Sequence, residues 1–261
     1  MRTFAIVNRK GGVGKTATAV NLAYILATSC KKRVLLIDAD SQANASSIVT
    51  SPNEAGLTAV IQGAEPHYEN LIDHTDIPNL DLLPATEELA DLDLQCMAGL
   101  QQPAFFALRD FLEVLAEDDV YDLVVIDCPP YFSLSCVNAI MAADRIIIPT
   151  DTDGFSTGGM SKLVKQIDSL RKACPDVVIS GCLVTRWKKS DVAEDAINYL
   201  RDESPIRIFQ HVIRASDEKV RESTWAGQAV AQWSPWSNAS RDYRAWVAEL
   251  LEQEAISYER V

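Results

Sequence analysis

Short continuous apolar runs alternate along this chain with longer stretches in which apolar positions recur every three or four residues. Residues 3–7 read as a strand, and residues 16–29 as a helix with Val20, Ala23, Tyr24 and Ala27 on one face. Val34-Leu35-Leu36-Ile37 is a continuous apolar run, and so is Leu80 to Leu83, which Pro84 closes. Residues 86–98 and 104–117 are helical in period and acidic. Leu123-Val124-Val125-Ile126 and Ile146-Ile147-Ile148 are short and rich in β-branched side chains, as strands covered on both faces tend to be. A helix over 157–173, a strand over 177–184, a helix over 191–202 and a strand over 206–213 follow, and a helix over about 239–257 ends the pattern.

Strands separated by helices imply βαβ crossovers. The fold expected is α/β, a doubly wound, mainly parallel sheet with helices on both faces. No repeat and no Pro/Gly/Ser-rich linker divides the chain, so residues 1–261 are expected to form one domain. The last helix carries Trp246, Leu250 and Leu251 beside Glu249, Glu252 and Glu254. An acidic helix with an apolar stripe is expected to pack on its own core, and it makes a poor anchor for anionic lipid.

Composition narrows the setting. Hydrophobic residues make up 48% and charged residues 23%, as in ordinary globular chains. No apolar run approaches the roughly 20 residues of a membrane helix. The N-terminus enters the strand Phe4-Ala5-Ile6-Val7 directly, so no secretory signal is expected, and the location expected is the cytoplasm. Cys30, Cys96, Cys128, Cys136, Cys174 and Cys182 form no C-x-x-C pair and read as free thiols in a reducing compartment. The net charge of −13 argues against wholesale nucleic-acid binding. It is uneven, however: residues 1–180 carry 13 Lys/Arg against 24 Asp/Glu, whereas residues 181–222 carry 8 of each. Any basic face is therefore local to the second segment.

Gly11-Gly12-Val13-Gly14-Lys15-Thr16 follows the first strand and opens the first helix, which is the context a phosphate-binding loop requires. The glycines let backbone N–H groups turn inward around phosphate oxygens, and the helix start adds partial positive charge. Lys15 is then placed to reach the β and γ phosphates, and the Thr16 hydroxyl to reach Mg²⁺. The spacing follows G-x-x-x-x-G-K-[ST] except at its first position, which Arg9 occupies. Asp127 ends an apolar strand at the edge where open α/β sheets bind ligands. The plainer alternative for Asp127 is a residue that caps the next turn.

With Lys10 included, Lys10-Gly11-Gly12-Val13-Gly14-Lys15-Thr16 resembles the deviant Walker A motif of the ParA/MinD ATPases, in particular ParA-type (Soj-like) chains without an N-terminal helix-turn-helix. The resemblance implies that Lys10 reaches across a homodimer interface to the partner's ATP. Leu35-Leu36-Ile37-Asp38-Ala39-Asp40-Ser41-Gln42-Ala43-Asn44 resembles the family's D-x-D-P-Q-G-N block, implying that Asp38 lies near the Mg²⁺ shell and that Asp40 orients the attacking water. Val124-Val125-Ile126-Asp127-Cys128-Pro129-Pro130 resembles its Walker B strand and switch, implying that Asp127 holds Mg²⁺ through water. Further echoes, among them Ala142-Ala143-Asp144 and Trp233-Ser234-Pro235, carry the resemblance over essentially the whole length. The chain departs from the family at Ala17, where a second Thr is common, at Ser41 and Ala43, where Pro and Gly are usual, and at Arg9. These departures bear on switch stiffness and hydrolysis rate more than on binding. No motif marks the adenine site; the loops around Arg214 and Pro235 are the candidates.

Several functions share this core. In DNA partition, an ATP-bound dimer rides non-specific duplex DNA on the nucleoid and a ParB-like partner stimulates hydrolysis. The candidate phosphate contacts are Arg186, Lys188, Lys189, Arg214, Lys219 and Arg221. The plain alternative for them is a solvated surface. A MinD-like membrane switch needs a basic amphipathic tail, but residues 249–261 hold four Glu and one Arg. A metabolic or electron-transfer relative and an ATP-dependent scaffold for protein cargo complete the set.

Overall fold

A computed structural model describes residues 1–49, 56–63, 68–151, 162, 165–169, 171–172, 174–204 and 206–258. The strands are β1 (Arg2–Ile6), β2 (Val34–Asp38), β3 (Asp73–His74), β4 (Leu80–Leu83), β5 (Leu123–Asp127), β6 (Arg145–Thr150) and β7 (Val178–Val184). They form one seven-stranded sheet in the order β3-β4-β2-β5-β1-β6-β7. Every pairing is parallel except that of the two-residue edge strand β3 with β4. The helices are α1 (Lys15–Thr28), α2 (Asn44–Val49), α3 (Gly56–Ile61), α4 (Glu88–Met97), α5 (Ala107–Glu117), α6 (Leu134–Ala142), α7 (Asp191–Glu203), α8 (Asp217–Trp225), α9 (Val230–Trp233) and α10 (Asn238–Gln253).

The continuous apolar runs work because successive side chains of a strand point to opposite faces and both faces are covered. Phe4, Ile6, Leu36, Val125 and Ile147 enter a layer with α1 and α10, where Trp246, Leu250 and Leu251 are fully buried. Ala5, Leu35, Ile37, Val124, Ile126 and Ile148 enter the opposite layer, with Leu57 of α3, Leu89 of α4, Phe111 of α5 and Ile140 of α6. The doubly wound architecture and the packing of the last helix thus agree with the sequence reading.

Three expectations change. Residues 206–213 form no strand: Ile208 makes an isolated bridge to Cys182, and just beyond the segment Arg214 makes one to Trp187. Their apolar pattern reflects burial of Ile206, Ile208, Phe209 and Ile213 without a continuous ladder. Helix α1 has no single apolar face, because the sheet lies on one side and α9 and α10 on the other; Ala19, Leu22, Ile25 and Leu26 are buried along with Val20, Ala23 and Ala27. The sequence reading assigned nothing to α6, which the Ser133 side chain caps through the Cys136 N–H at 3.0 Å. The helix expected over 157–173 lies largely outside the described residues; residues 165–169 of it are helical.

Candidate nucleotide site

β5 lies at the centre of the sheet, and register brings three carboxyl ends together. Asp127 stands opposite Ile6 of β1 on one side and Asp38 of β2 on the other. From Ile6 the chain turns through Asn8, whose side-chain N–H donates to the Pro149 carbonyl at 2.7 Å and whose carbonyl accepts the Lys10 N–H at 2.9 Å. Val13 is fully buried, and its carbonyl accepts the Thr185 hydroxyl at 2.8 Å. Gly12 and Gly14 hold φ of 75° and 80°, a left-handed backbone that side chains disfavour. A Cβ placed on Gly11, Gly12 or Gly14 would meet no atom within 4 Å. Gly14 is the residue before α1, and no side chain caps the helix. The free N–H groups of its first turn therefore face open space beside the glycines, with the positive end of the helix behind them.

The charged groups beneath the loop are unusually buried. Lys15 is 8% exposed, and among the described residues its Nζ makes a single long contact of 3.4 Å, to the Lys10 carbonyl. Asp127 is fully buried, and among the described residues neither carboxylate oxygen closes a hydrogen bond. Burial pushes its pKa well above the usual carboxylate range and the neighbouring Asp38 adds to this, while the nearby Thr16 hydroxyl and Lys15 pull the other way. Asp38 is also fully buried but is satisfied. One oxygen accepts the Ser46 N–H at 2.8 Å and its hydroxyl at 2.9 Å, and the other accepts the Asp40 N–H at 3.1 Å. Burial still pushes Asp38 up to about 6. Asp40 is 8% exposed and accepts the Gln42 N–H at 3.1 Å through its side chain. The adjoining Ala43 sits at φ 50°, the strained geometry that a glycine would relieve.

Lys10 is held within its own chain. Its Nζ lies 2.7 and 2.9 Å from the two carboxylate oxygens of Asp151, a partner 141 residues away. Arg9 reaches Gln166 at 3.3 Å. Beside the loop a groove of about 480 Å³ is lined by Gly12, Gly14, Ala17, Arg186, Arg214 and Tyr243, among others. Pro235, an expected adenine contact, is not among its lining residues; its carbonyl instead accepts Arg244 at 2.7 Å.

The expected DNA contacts do not form one free cluster. Arg214 is bound through its side chain and backbone by Asp242, with the shortest contact 2.6 Å. Lys219 pairs with Glu222 at 2.8 Å within α8, and Arg221 donates to the Asp217 carbonyl at 3.3 Å. Arg186 pairs with Asp217 at 3.4 Å and reaches the Gly12 carbonyl, which places it at the nucleotide groove. Lys189 lies 3.6 Å from Glu194, and Lys188 is exposed. Sequence reasoning missed Asp151 and Ser46. Each acts through a tertiary contact, and no local motif announces either one.

The arrangement fits a phosphate group with a divalent cation. Left-handed glycines and an uncapped helix start offer N–H donors to an anion, and a buried carboxylate with no hydrogen bond offers oxygens to a cation. Fold and site together define a P-loop nucleotide-binding protein. A family model described as an AAA domain matches residues 1–179. Over 259 residues the chain is 32% identical to the chromosome partitioning protein ParA of Caulobacter vibrioides, covering 97% of this chain and 95% of that one. It is 34% identical over 253 residues to the chromosome-partitioning ATPase Soj of Thermus thermophilus, covering 96% of each. Among solved structures, a cobyrinic acid a,c-diamide synthase from Mycobacterium smegmatis with bound ATP analog and magnesium matches with a TM-score of 0.81 at 25% identity, covering 97% of this chain and 95% of that one. The chain belongs to the ParA/MinD family of P-loop ATPases.

Proposed function

We propose that this protein is a DNA-partition ATPase: it binds MgATP at the glycine loop, dimerises on it, rides duplex DNA on the nucleoid and is reset by slow hydrolysis that a ParB-like partner stimulates. The near full-length likeness to the two partitioning proteins carries this reading. The loop N–H groups and Lys15 bind the phosphates, and the groove beside Ala17 and Arg186 takes the nucleoside. Thr16 and Asp127 would hold Mg²⁺, which supplies charge neutralisation at the phosphate oxygens when bound. Asp38 acts at one remove: bonded to Ser46 and to the Asp40 N–H, it fixes the loop from which Asp40 orients water. Lys10 supplies its charge to the partner's nucleotide, which requires it to leave Asp151.

One observation favours a second reading, an ATP-dependent scaffold for protein cargo. Most of the candidate DNA cations are paired within the chain, and such pairs offer little net charge to a phosphate backbone. Lys188 and Lys189 are the exposed test sites, because Arg214→Glu would break a structural ion pair. The experiment is binding to random-sequence duplex DNA with ATP, ADP or no nucleotide. ATP-dependent binding whose salt slope falls by about 1 for each lysine replaced by Glu supports partition. No binding in any state, with nucleotide-dependent dimerisation intact, supports the scaffold.

A further inference from the structure

We infer that Thr185, the residue after β7, is a positioning residue for the nucleotide: its hydroxyl holds the Val13 carbonyl behind the glycine loop and so aims the Gly14 N–H at the phosphates. The inference deepens the ATPase reading above and rests on it.

The loop sorts its backbone groups by side. Four carbonyls between Lys10 and Gly14 are engaged. The Lys10 carbonyl accepts the Lys15 Nζ at 3.4 Å, the Gly12 carbonyl the Arg186 guanidinium at 3.4 Å, the Val13 carbonyl the Thr185 hydroxyl at 2.8 Å and the Gly14 carbonyl the Thr18 N–H at 2.9 Å. The Val13 and Gly14 N–H groups, by contrast, find no acceptor among the described residues. Backbone donors left open while their carbonyls are satisfied form a concavity that suits an anion.

The planar peptide ties the two sides together. No peptide bond among the described residues is cis, and in a trans unit the C=O and the N–H that follows it point in opposite directions. Drawing the Val13 carbonyl toward β7 therefore turns the Gly14 N–H away from β7. The space around Gly14 is open, for a Cβ built there meets no atom within 4 Å. Glycine adopts φ of either sign, so the sequence of the loop leaves this peptide plane free to flip and present its carbonyl to the phosphates instead. Thr185 removes that freedom. Arg186 turns the preceding plane the same way, through an exposed side chain and a longer contact.

Thr185 is itself well fixed. It is 2% exposed, and its N–H donates to the Thr150 carbonyl of β6 at 2.7 Å. Its β-branched side chain is stiff at χ1. The hydroxyl has one proton and two acceptors in reach, Val13 at 2.8 Å and Thr150 at 3.1 Å. Val13 is the nearer, and the Thr150 carbonyl already holds the backbone N–H.

The test is calorimetric titration of MgATP and of magnesium tripolyphosphate into the full native chain, Thr185→Val and Thr185→Ser. Valine keeps the shape and removes the hydroxyl; serine keeps the hydroxyl and removes the methyl. Thr185→Val should bind both ligands about tenfold more weakly, the scale of one hydrogen bond to a charged group, with a native circular dichroism spectrum. Thr185→Ser should stay within about threefold of the native chain for both. Native affinity in Thr185→Val would overturn the inference. So would a Thr185→Ser variant as weak as Thr185→Val, which would make the methyl group the cause. Thr185 also lines the groove beside the loop. Loss confined to MgATP, with tripolyphosphate unaffected or unbound throughout, would therefore place the effect on the nucleoside and overturn the inference. If Thr185→Val does not fold, Thr185→Ala against Thr185→Ser makes the same comparison of one hydroxyl. Absence of MgATP binding by the native chain would overturn the ATPase reading and this inference with it, whereas native binding with an unaffected variant counts against this inference alone.

Discussion

Asp127→Asn should raise the stability of the nucleotide-free protein and lower its response to MgATP. Asp127 is fully buried and neither oxygen closes a hydrogen bond among the described residues. An ion left without a partner in the interior costs several kcal/mol, and Lys15 and Thr16 offset only part of that. Asparagine keeps the shape and removes the charge, but its unpaired amide costs about 1–3 kcal/mol in turn. The net gain is about 1–2 kcal/mol, or roughly 2–8 °C in Tm for a chain of this size. Its pH dependence has a definite sign. The folded pKa lies above the unfolded one, so the folded state binds the additional proton. Stability is therefore lost as pH rises from the unfolded carboxylate range through the raised folded value, and Asp38, pushed up to about 6, adds to the same slope. Thermal melts at pH 5 and pH 8 without nucleotide should show the variant's advantage largest at the higher pH. With MgATP the order should reverse, because ligand at a hundredfold over Kd adds about 2.7 kcal/mol only where the site is whole. A variant that melts below the native protein at pH 8 without nucleotide would refute the reasoning.

Asp151→Asn should free Lys10 and strengthen nucleotide-dependent dimerisation by up to about fivefold, since a half-exposed pair is worth at most about 1 kcal/mol; unchanged sedimentation would mean that the pair does not compete. Ala43→Val should lower Tm by an amount equivalent to more than about 1 kcal/mol, because a β-branched residue tolerates φ near 50° poorly, while Ala43→Gly should melt no lower than the native chain. Gly56→Ala should cost about 3 kcal/mol or more in denaturant unfolding, for its Cβ would fall 2.1 Å from the Pro84 carbonyl oxygen at φ 38°.

How much of this was legible in the sequence follows from the range of the interactions. The strands were readable because a strand covered on both faces must be apolar at every position, as Val34–Ile37 and Leu123–Ile126 are. The same rule misread residues 206–213, whose burial comes without a ladder, and it passed over α6, whose residues from Leu134 to Met141 are buried on all but one position and so carry no polar stripe. The phosphate loop was legible because its geometry is local: strand, left-handed glycines and helix start fall within a dozen residues. The grip of Asp151 on Lys10 and of Ser46 on Asp38 was not, because folding alone brings those residues together. The pairing of Arg214 with Asp242 was hidden for the same reason, and it turns a residue that looks like a nucleic-acid contact into an internal tie.

The most direct test of the central claim, that the glycine loop and Asp127 form one magnesium–nucleotide site, is calorimetric titration of ATP into the native protein and Lys15→Ala, each with Mg²⁺ and with EDTA. Lys15 is nearly buried beneath the loop and, among the described residues, makes one long internal contact. The account predicts saturable binding to the native protein that weakens at least tenfold in EDTA and disappears in Lys15→Ala while the fold is retained. Native affinity in Lys15→Ala, or binding indifferent to Mg²⁺, would contradict it.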